Sequence, residues 1–183
     1  MRRNRHIMRL FAAICIVALL GAGCSTNPDT AHMTPDQLER AMDLEMRTNP
    51  PVYLPEIEMA MQAEEARGAM TGEKKVSGAF REKARMGQGT ATITRKDGTS
   101  FLVLDDAFKT ENGPQLHVFL AGHPDPGSDA DMQSMGDLDV GPLKSLSGAQ
   151  VYEIPEAKAG EEWRSGVGYC VPFKVGFTAA SLN

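Results

Sequence analysis

The stretch that decides the fold runs TATITRKDGTSFLVL over residues 90–104. Its first half is a β-branched run, and Asp97-Gly98 separates that run from the apolar segment 101–104. An Asp-Gly pair between two such segments is a strong signal for a two-residue hairpin turn, because both central positions of that turn need a positive φ. The sequence therefore predicts an antiparallel hairpin here.

Short strand-like segments and turn signals continue on both sides of this hairpin. Asn112-Gly113-Pro114 marks another turn, and the chain contains 18 glycines and 11 prolines, a composition typical of a turn-rich β domain. The further predicted strands are 76–80, 116–120, 150–154, 166–170 and 173–177, with a long loop over 121–137. This pattern predicts a mainly β fold in which residues 76–183 form a single β-sandwich, jelly-roll-like, with a small barrel as the alternative.

Residues 24–75 have a different pattern, which predicts a tether and two helices. Thr34 can cap a helix, Pro35 suits its first position, and Gln37 completes a capping box. A second helical segment starts at Pro55 and carries Ile57 and Met61 at helical spacing. We expect two short amphipathic helices that either pack on the β domain or stay mobile.

The first 23 residues have the features of a bacterial lipoprotein signal peptide. Four arginines precede an apolar run at 10–20, and small residues lead to Cys24. Cleavage would leave Cys24 as a lipid-bearing N-terminus, although Leu20 stands one place earlier than the favoured position. The alternative is ordinary cleavage near Gly23, which would leave Cys24 as a free thiol.

Lipidation of Cys24 predicts an exported protein attached to the bacterial membrane and facing the periplasm or the exterior. Two or more acyl chains give stable anchoring. Ser25 follows Cys24, where an aspartate would favour inner-membrane retention, so we expect the outer membrane if the organism has two membranes. Without the signal peptide the chain has 15 Lys+Arg against 24 Asp+Glu, a net charge of −9. This acidic balance argues against nucleic acid as a partner.

Cys170 is the one cysteine that export and lipidation leave unexplained. The chain has three cysteines, of which Cys15 lies in the signal peptide and Cys24 at the lipidation position. An unpaired cysteine in an exported protein suggests a reactive thiol or an intermolecular disulfide. A reactive thiol needs a nearby cation or base, and the sequence offers Lys174, Arg164 and His117. The apolar neighbours of Cys170 equally suit an inert, buried cysteine.

The order of motifs over residues 76–183 resembles the bacterial form of the DM-thirteen (DM13) domain, an electron-transfer domain. The matching segments are SGAF at 77–80, GTA at 89–91, FKT at 108–110, NGP at 112–114, LHVFL at 116–120, GPLK at 141–144, GAQVYEIP at 148–155, YC at 169–170 and FKVGF at 173–177. The resemblance implies a redox role for Cys170. The chain departs from the family in having Gly168-Tyr169 before this cysteine and no histidine in the first hairpin, at 81–87.

A blue-copper protein is a second electron-transfer hypothesis. Cys170-Val171-Pro172 resembles the start of a copper-binding loop, but Phe173 stands where a histidine ligand is required. His117 and His123 are weak candidates for metal ligands. The sequence predicts no cofactor, with copper or another redox metal left open.

These observations favour a membrane-anchored electron-transfer or redox accessory that uses Cys170, with an unknown redox or envelope protein as its partner. The alternative is a non-catalytic envelope binding or adhesion module in which Cys170 is structural. An enzyme is the third hypothesis, because the sequence shows no general acid–base constellation or catalytic triad.

Overall fold

The computed structural model describes residues 30–183 of the 183-residue chain. The predicted signal peptide (1–23), Cys15 and the predicted lipidation site Cys24 lie outside the described residues. No helix among residues 30–183 is long and apolar enough to cross a bilayer.

The described chain is mainly β, as the sequence predicts. Its α-helices are α1 (Pro35–Thr48), α2 (Glu56–Met70) and α3 (Asp129–Ser134). Its strands are β1 (Glu73–Glu82), β2 (Gly87–Gln88), β3 (Thr90–Lys96), β4 (Thr99–Leu104), β5 (Lys109–Thr110), β6 (Leu116–Ala121), β7 (Asp137–Pro142), β8 (Gln150–Ile154), β9 (Ser165–Cys170) and β10 (Val175–Ser181).

The hairpin at the centre of the sequence forms as predicted. Strands β3 and β4 pair antiparallel from Ala91 opposite Leu104 to Lys96 opposite Thr99. Asp97 and Gly98 connect them with φ values of 50° and 86°. Both turn residues therefore adopt the positive φ that a tight hairpin requires.

The strands form one continuous eight-stranded antiparallel sheet, in the order β7-β6-β9-β10-β1-β3-β4-β8, with β2 and β5 as a separate ribbon. This differs from the jelly-roll-like sandwich of two sheets that the sequence predicts. Strand β1 joins the two halves, because its first part pairs with β3 and its last part, from Phe80, pairs with β10. The sheet curls into a nearly closed, barrel-like shape around one core.

The core lies inside the curled sheet and includes Phe80, Phe108, Leu102 and Phe177. The rings of Phe80 and Phe108 pack edge to face with centroids 5.1 Å apart. Strand β9 approaches the opposite wall closely, since a Cβ added at Gly166 would lie 3.4 Å from Ala91 Cβ.

Side chains, rather than a backbone ladder, join the two edge strands β7 and β8. The fully buried side chain of Gln150 accepts hydrogen bonds from Lys144 N (3.0 Å) and Tyr152 Oη (2.9 Å), and donates one to Ser145 O (2.9 Å). Lys144 Nζ donates to Val151 O on the edge strand β8 (2.5 Å) and to Gln62 Oε1 of α2 (2.6 Å). These contacts cap polar groups along a sheet edge that would otherwise lack partners.

The two N-terminal helices occupy different places on the β domain. Helix α1 has the predicted capping box between Thr34 and Gln37, and it buries Met42 in the main core. Helix α2 packs Ala66 and Ala69 on the outer face of the sheet, against Val103 and Val151 among others.

The sequence predicts the wrong residues for the buried face of α2. Ile57 and Met61 are 75% and 68% exposed, because the helix approaches the sheet through its small alanines instead. A third helix, α3, also forms within the predicted long loop. Ser128 caps it by accepting a hydrogen bond from Asp131 N, while the Asp131 carboxylate accepts one from Ser128 N.

We expect Gln150→Ala to lower the free energy of unfolding by about 3 kcal/mol, because it leaves several buried hydrogen-bonding groups without partners, at about 1–3 kcal/mol for each group. Urea denaturation followed by circular dichroism measures the change. Gln88→Ala, at an exposed position, is the control and should change the free energy by less than about 0.5 kcal/mol. Equal effects of the two substitutions would show that the Gln150 network contributes nothing to closure.

Candidate functional site

Cys170 lies at the last position of β9, at the end of the barrel-like sheet that we call the cysteine end. We define this end by Cys170 and its cross-strand neighbours Leu116 on β6 and Val175 on β10. The Cys170 side chain is 0% exposed and makes no disulfide. Its Sγ donates a hydrogen bond to Pro114 O at 3.1 Å. The thiol is therefore dry and hydrogen-bonded in its protonated form.

Burial controls the acidity of this thiol. It raises the pKa of Cys170 from the ordinary value of 9.0 to about 12, because a thiolate would lose its hydration. The backbone N–H of Phe173 and the charge of Arg85 both lower the pKa, and Glu45 raises it, but these effects are smaller than that of burial. At neutral pH the folded protein therefore presents a thiol rather than the nucleophilic thiolate.

Helix α1 covers the cysteine end. Its residue Met42 is 5% exposed and belongs to the same core cluster as Cys170. Glu39 of α1 forms an ion pair with Arg85. The Glu45 carboxylate accepts a hydrogen bond from Gln115 Nε2 at 3.5 Å. Gln115 is the residue before Leu116, the neighbour of Cys170 on β6. One buried methionine, the partly buried Leu38 and Ala41, and a few polar contacts thus hold the helix in place.

Arg85 is the cation beside Cys170, and sequence reasoning missed it. Its backbone N–H donates to Phe177 O (3.0 Å), and its guanidinium lies 5.4 Å above the centre of the Phe177 ring. Besides Glu39, the Arg85 Nε atom lies 3.7 Å from a carboxylate oxygen of Glu111. These two carboxylates offset much of the positive charge that would otherwise favour a thiolate. The signal was available, because Arg85 lies in the segment 81–87 where the resemblance leads one to expect a histidine.

The side chains of Lys174 and His117 pair with other residues, although both residues lie near Cys170 along the strands. Lys174 Nζ is 3.4 Å from Asp129, and His117 Nδ1 is 2.7 Å from Asp139. Arg164 precedes the first residue of β9 and so lies at the opposite end of the sheet from Cys170.

The backbone at the cysteine end is locally strained. Three non-glycine residues among 30–183 have a positive φ, and two of them, Gln115 (42°) and Lys174 (54°), lie in the turns beside Cys170. The conformation has a structural use, because Gln115 O accepts a hydrogen bond from Val171 N at 3.3 Å. Such strain concentrates at functional sites in proteins. Gly168, where the chain departs from the family pattern, allows close packing, since a Cβ there would lie 3.1 Å from Thr178 Cγ2.

The structure does not bring the two candidate histidine ligands together. His117 lies near the start of β6, and His123 follows the end of that strand at Ala121, so that roughly 13 Å of extended chain separates His117 from the strand end. His123 Nδ1 accepts a hydrogen bond from Asp125 N at 3.1 Å. Within residues 30–183, no group of three or more His, Cys, Asp or Glu side chains is placed to hold a metal ion.

Comparison with known proteins gives one match. The family model described as "Electron transfer DM13" matches residues 79–182. The match includes Cys170, Arg85 and all the strands from β2 to β10. No curated protein and no solved structure matches the chain significantly.

We expect the free energy of unfolding to depend on Cys170 at alkaline pH. Below pH 9 both the folded and the unfolded chain keep the thiol proton, so the contribution of the buried thiol is complete. Between about pH 9 and the folded pKa of about 12, the unfolded chain loses this proton and the folded chain keeps it. The buried thiol therefore loses its stabilising contribution as the pH rises.

Comparison with Cys170→Ala isolates this effect, because tyrosines that titrate at alkaline pH are present in both proteins. The stability advantage of the wild type over Cys170→Ala should shrink by a few kcal/mol between about pH 8 and about pH 11. Urea denaturation at each pH measures it. An advantage that stays constant over this range would show that the folded thiol is not shielded from water.

Proposed function

The chain belongs to the electron-transfer DM13 family, and from that membership we propose that it is an electron-transfer accessory of the cell envelope in which the Cys170 thiol is the redox group and helix α1 controls access to it. The family match covers nearly the whole β domain. The observation that carries the proposal is that α1, a helix with one fully buried residue, lies close to the buried thiol, since its Glu45 raises the pKa of Cys170.

The burial of Cys170 requires that its redox chemistry be gated. A thiol must reach a partner and ionise before it can act as a nucleophile. When α1 moves away, the Cys170 thiol would gain water and lose its proton to it. The resulting thiolate would then attack one sulfur of a partner protein's disulfide, forming a mixed disulfide with Cys170 and releasing the other sulfur of the partner as a thiolate. The partner's disulfide is the oxidant in this exchange, and atoms and charge balance.

The weak attachment of α1 supports gating. Met42 is the single fully buried residue of this helix, with Leu38 and Ala41 partly buried beside it, whereas α2 buries two alanines against the sheet. The ion pair between Glu39 and Arg85 joins side chains that are 59% and 22% exposed, and partly exposed ion pairs contribute little. Elements with few buried contacts open locally at a low free-energy cost.

The proposed membrane anchor is close to this helix along the chain. We propose that Cys24 carries acyl groups that hold the protein at the membrane, facing the periplasm or the exterior. Ten residues separate Cys24 from Pro35, the first residue of α1, and they reach at most about 35 Å when extended. A force or surface contact at the anchor would therefore act first on the helix that covers Cys170.

A second function, an envelope binding or adhesion module, rests on a different feature of the same site. Cys170 is 0% exposed and its Sγ bonds Pro114 O, which is how a structural cysteine behaves. In that case Cys170 fills the core and never ionises in the folded protein. The two functions differ in whether local opening of α1 exposes the thiol.

We expect Met42→Ala to speed the alkylation of Cys170 by iodoacetamide at pH 7.5 by about tenfold or more. The substitution removes the buried side chain that holds α1, and loss of a buried methionine costs about 2–5 kcal/mol. Peptide mass spectrometry measures the rate at Cys170 separately from the other cysteines.

Met132→Ala is the matched control, because Met132 is also buried, at 2% exposure, but belongs to α3 and packs on the outer face of the sheet. It should leave the Cys170 rate within about twofold of the wild type. Equal acceleration by the two substitutions would show that global unfolding exposes Cys170, and would favour the structural role.

We expect mass spectrometry of the mature N-terminus, from cells that export the protein, to find acyl groups on Cys24. Cys24→Ser should abolish the acylation and release the protein from the membrane fraction. A mature chain cleaved near Gly23 with an unmodified Cys24 would refute the anchor. The redox proposal for Cys170 would stand or fall separately.

A further inference from the structure

A cavity of about 360 Å³ lies at the end of the sheet opposite Cys170. We call it the tryptophan-end cavity, because Trp163 forms one of its walls. Arg164, immediately before β9, also lines it. Cys170 ends the same strand, so roughly 17 Å of strand separates the two ends. The volume falls within the range of small-molecule sites, which is about 300–1,000 Å³.

An arginine points toward the core side of the sheet at this cavity. Arg95 pairs with Ser100 across β3 and β4, and Ser100 pairs with Ile154 across β4 and β8. Residues paired in this way project from the same face of the sheet. Ile154 is 2% exposed and belongs to the main core, so Arg95 and Ser100 share the inward face with it. Arg95 is itself exposed, so its side chain starts on the inward face but its guanidinium remains hydrated at the mouth of the apolar core.

Several polar groups around this cavity have no protein partner. Neither the Arg95 nor the Arg164 guanidinium makes a salt bridge or side-chain hydrogen bond with any residue in 30–183. The Ser100 hydroxyl, on a residue only 6% exposed, likewise makes no hydrogen bond within this part of the chain. The cavity therefore offers two guanidinium groups and one hydroxyl to a ligand.

The floor of the cavity is apolar and rigid. Ile93, Ile154, Trp163 and Leu182 line it, and each is less than 9% exposed. Trp163 Nε1 donates a hydrogen bond to Lys158 O at 3.2 Å, which fixes the indole ring. Apolar walls with a few convergent polar groups are the usual composition of a small-molecule site.

The charges at the mouth favour an anion. Two of the lining charges are already paired, Lys75 with Glu73 at 2.6 Å and Glu161 with Lys158 at 2.7 Å. Arg95 and Arg164 remain as unpaired positive charges, and Glu162 is the lining carboxylate that makes no salt bridge within residues 30–183. The unpaired side chains therefore leave a local excess of one positive charge, which matches a monoanion. A guanidinium binds a carboxylate through two parallel hydrogen bonds.

From this geometry we propose that the tryptophan-end cavity binds a small carboxylate with an apolar body. The Arg95 guanidinium holds the carboxylate at the mouth, with Ser100 or Arg164 as a further donor, and the apolar body lies against Trp163 and Ile154. This site is independent of the proposed redox role of Cys170 and does not depend on it.

Octanoate is the probe that tests the proposal on the full-length chain. Trp163 is the single tryptophan of the protein, so its fluorescence reports on binding at this end of the sheet, and isothermal titration calorimetry gives the affinity independently. We expect octanoate to produce a saturable change in emission and heat. Octanol, which lacks the charge, and acetate, which lacks the apolar body, should each bind at least about tenfold more weakly.

Arg95→Gln should weaken octanoate binding by about tenfold or more, because it removes a charge-assisted hydrogen bond. Arg40→Gln, at an exposed position on α1, is the matched control and should bind as the wild type does. Equal affinities of octanoate and octanol, or of wild type and Arg95→Gln, would overturn the anion site. Equal affinities of octanoate and acetate would overturn the apolar subsite. The absence of any saturable response to octanoate would overturn the whole proposal.

Discussion

The closure of the sheet depends on Lys144. Its ammonium is half-buried, and loss of hydration lowers its pKa, so it needs partners that replace water. It finds them in Val151 O on the outer strand, in Gln62 on α2, and in the Tyr152 ring, whose centre lies 4.6 Å away. One side chain thus joins the edge of the sheet, a helix and the core. Because the edges meet in this way, the interior between them excludes water, and the burial that raises the pKa of Cys170 depends on that exclusion.

The same closure gives the sheet two ends with different chemistry. At the cysteine end, α1 covers a neutral thiol, and the cation Arg85 is balanced by Glu39 and Glu111. At the opposite end, no residue of the described α-helices lines the cavity. Arg95 faces inward there without a carboxylate partner among residues 30–183. A polar group without a protein partner at the mouth of the core is suited to binding a ligand. A polar group held under a helix is suited to responding when that helix moves.

The sequence predicts the local structure better than the closure. The Asp97-Gly98 turn and the Thr34 capping box form as expected, because each depends on the backbone preferences of neighbouring residues. The sequence favours a two-sheet sandwich and gives a small barrel as the alternative, because the single curled sheet depends on β1 pairing with two strands that are far from each other in sequence. Periodicity identifies strands but does not say which strand lies next to which.

The candidate site was predicted in part for a related reason. Cys170 could be selected from the sequence because it has no cysteine partner. Its true neighbour Arg85 lies 85 residues earlier in the chain, so only the fold shows that the two are close. Ile57 and Met61 suggested the wrong buried face for α2. The helix packs on the outer face of the sheet through small alanines, which allow a closer approach. Helical spacing of large apolar residues alone does not identify the buried face of a helix.

Movement of α1 would change the chemistry of Cys170 in one direction through two separate effects. The first is hydration, because burial is the largest cause of the raised pKa. The second is charge, because α1 carries both Glu39, which neutralises Arg85, and Glu45, which itself raises the pKa of Cys170. When the helix leaves, both carboxylates leave with it, while Arg85 stays, since its backbone N–H bonds Phe177 O of β10. The opened site would therefore be both wetter and more positive, and both changes lower the pKa of a thiol. Under the gating proposed above, a cover that carries carboxylates beside the thiol and its neighbouring cation would keep the thiol protonated until the cover moves.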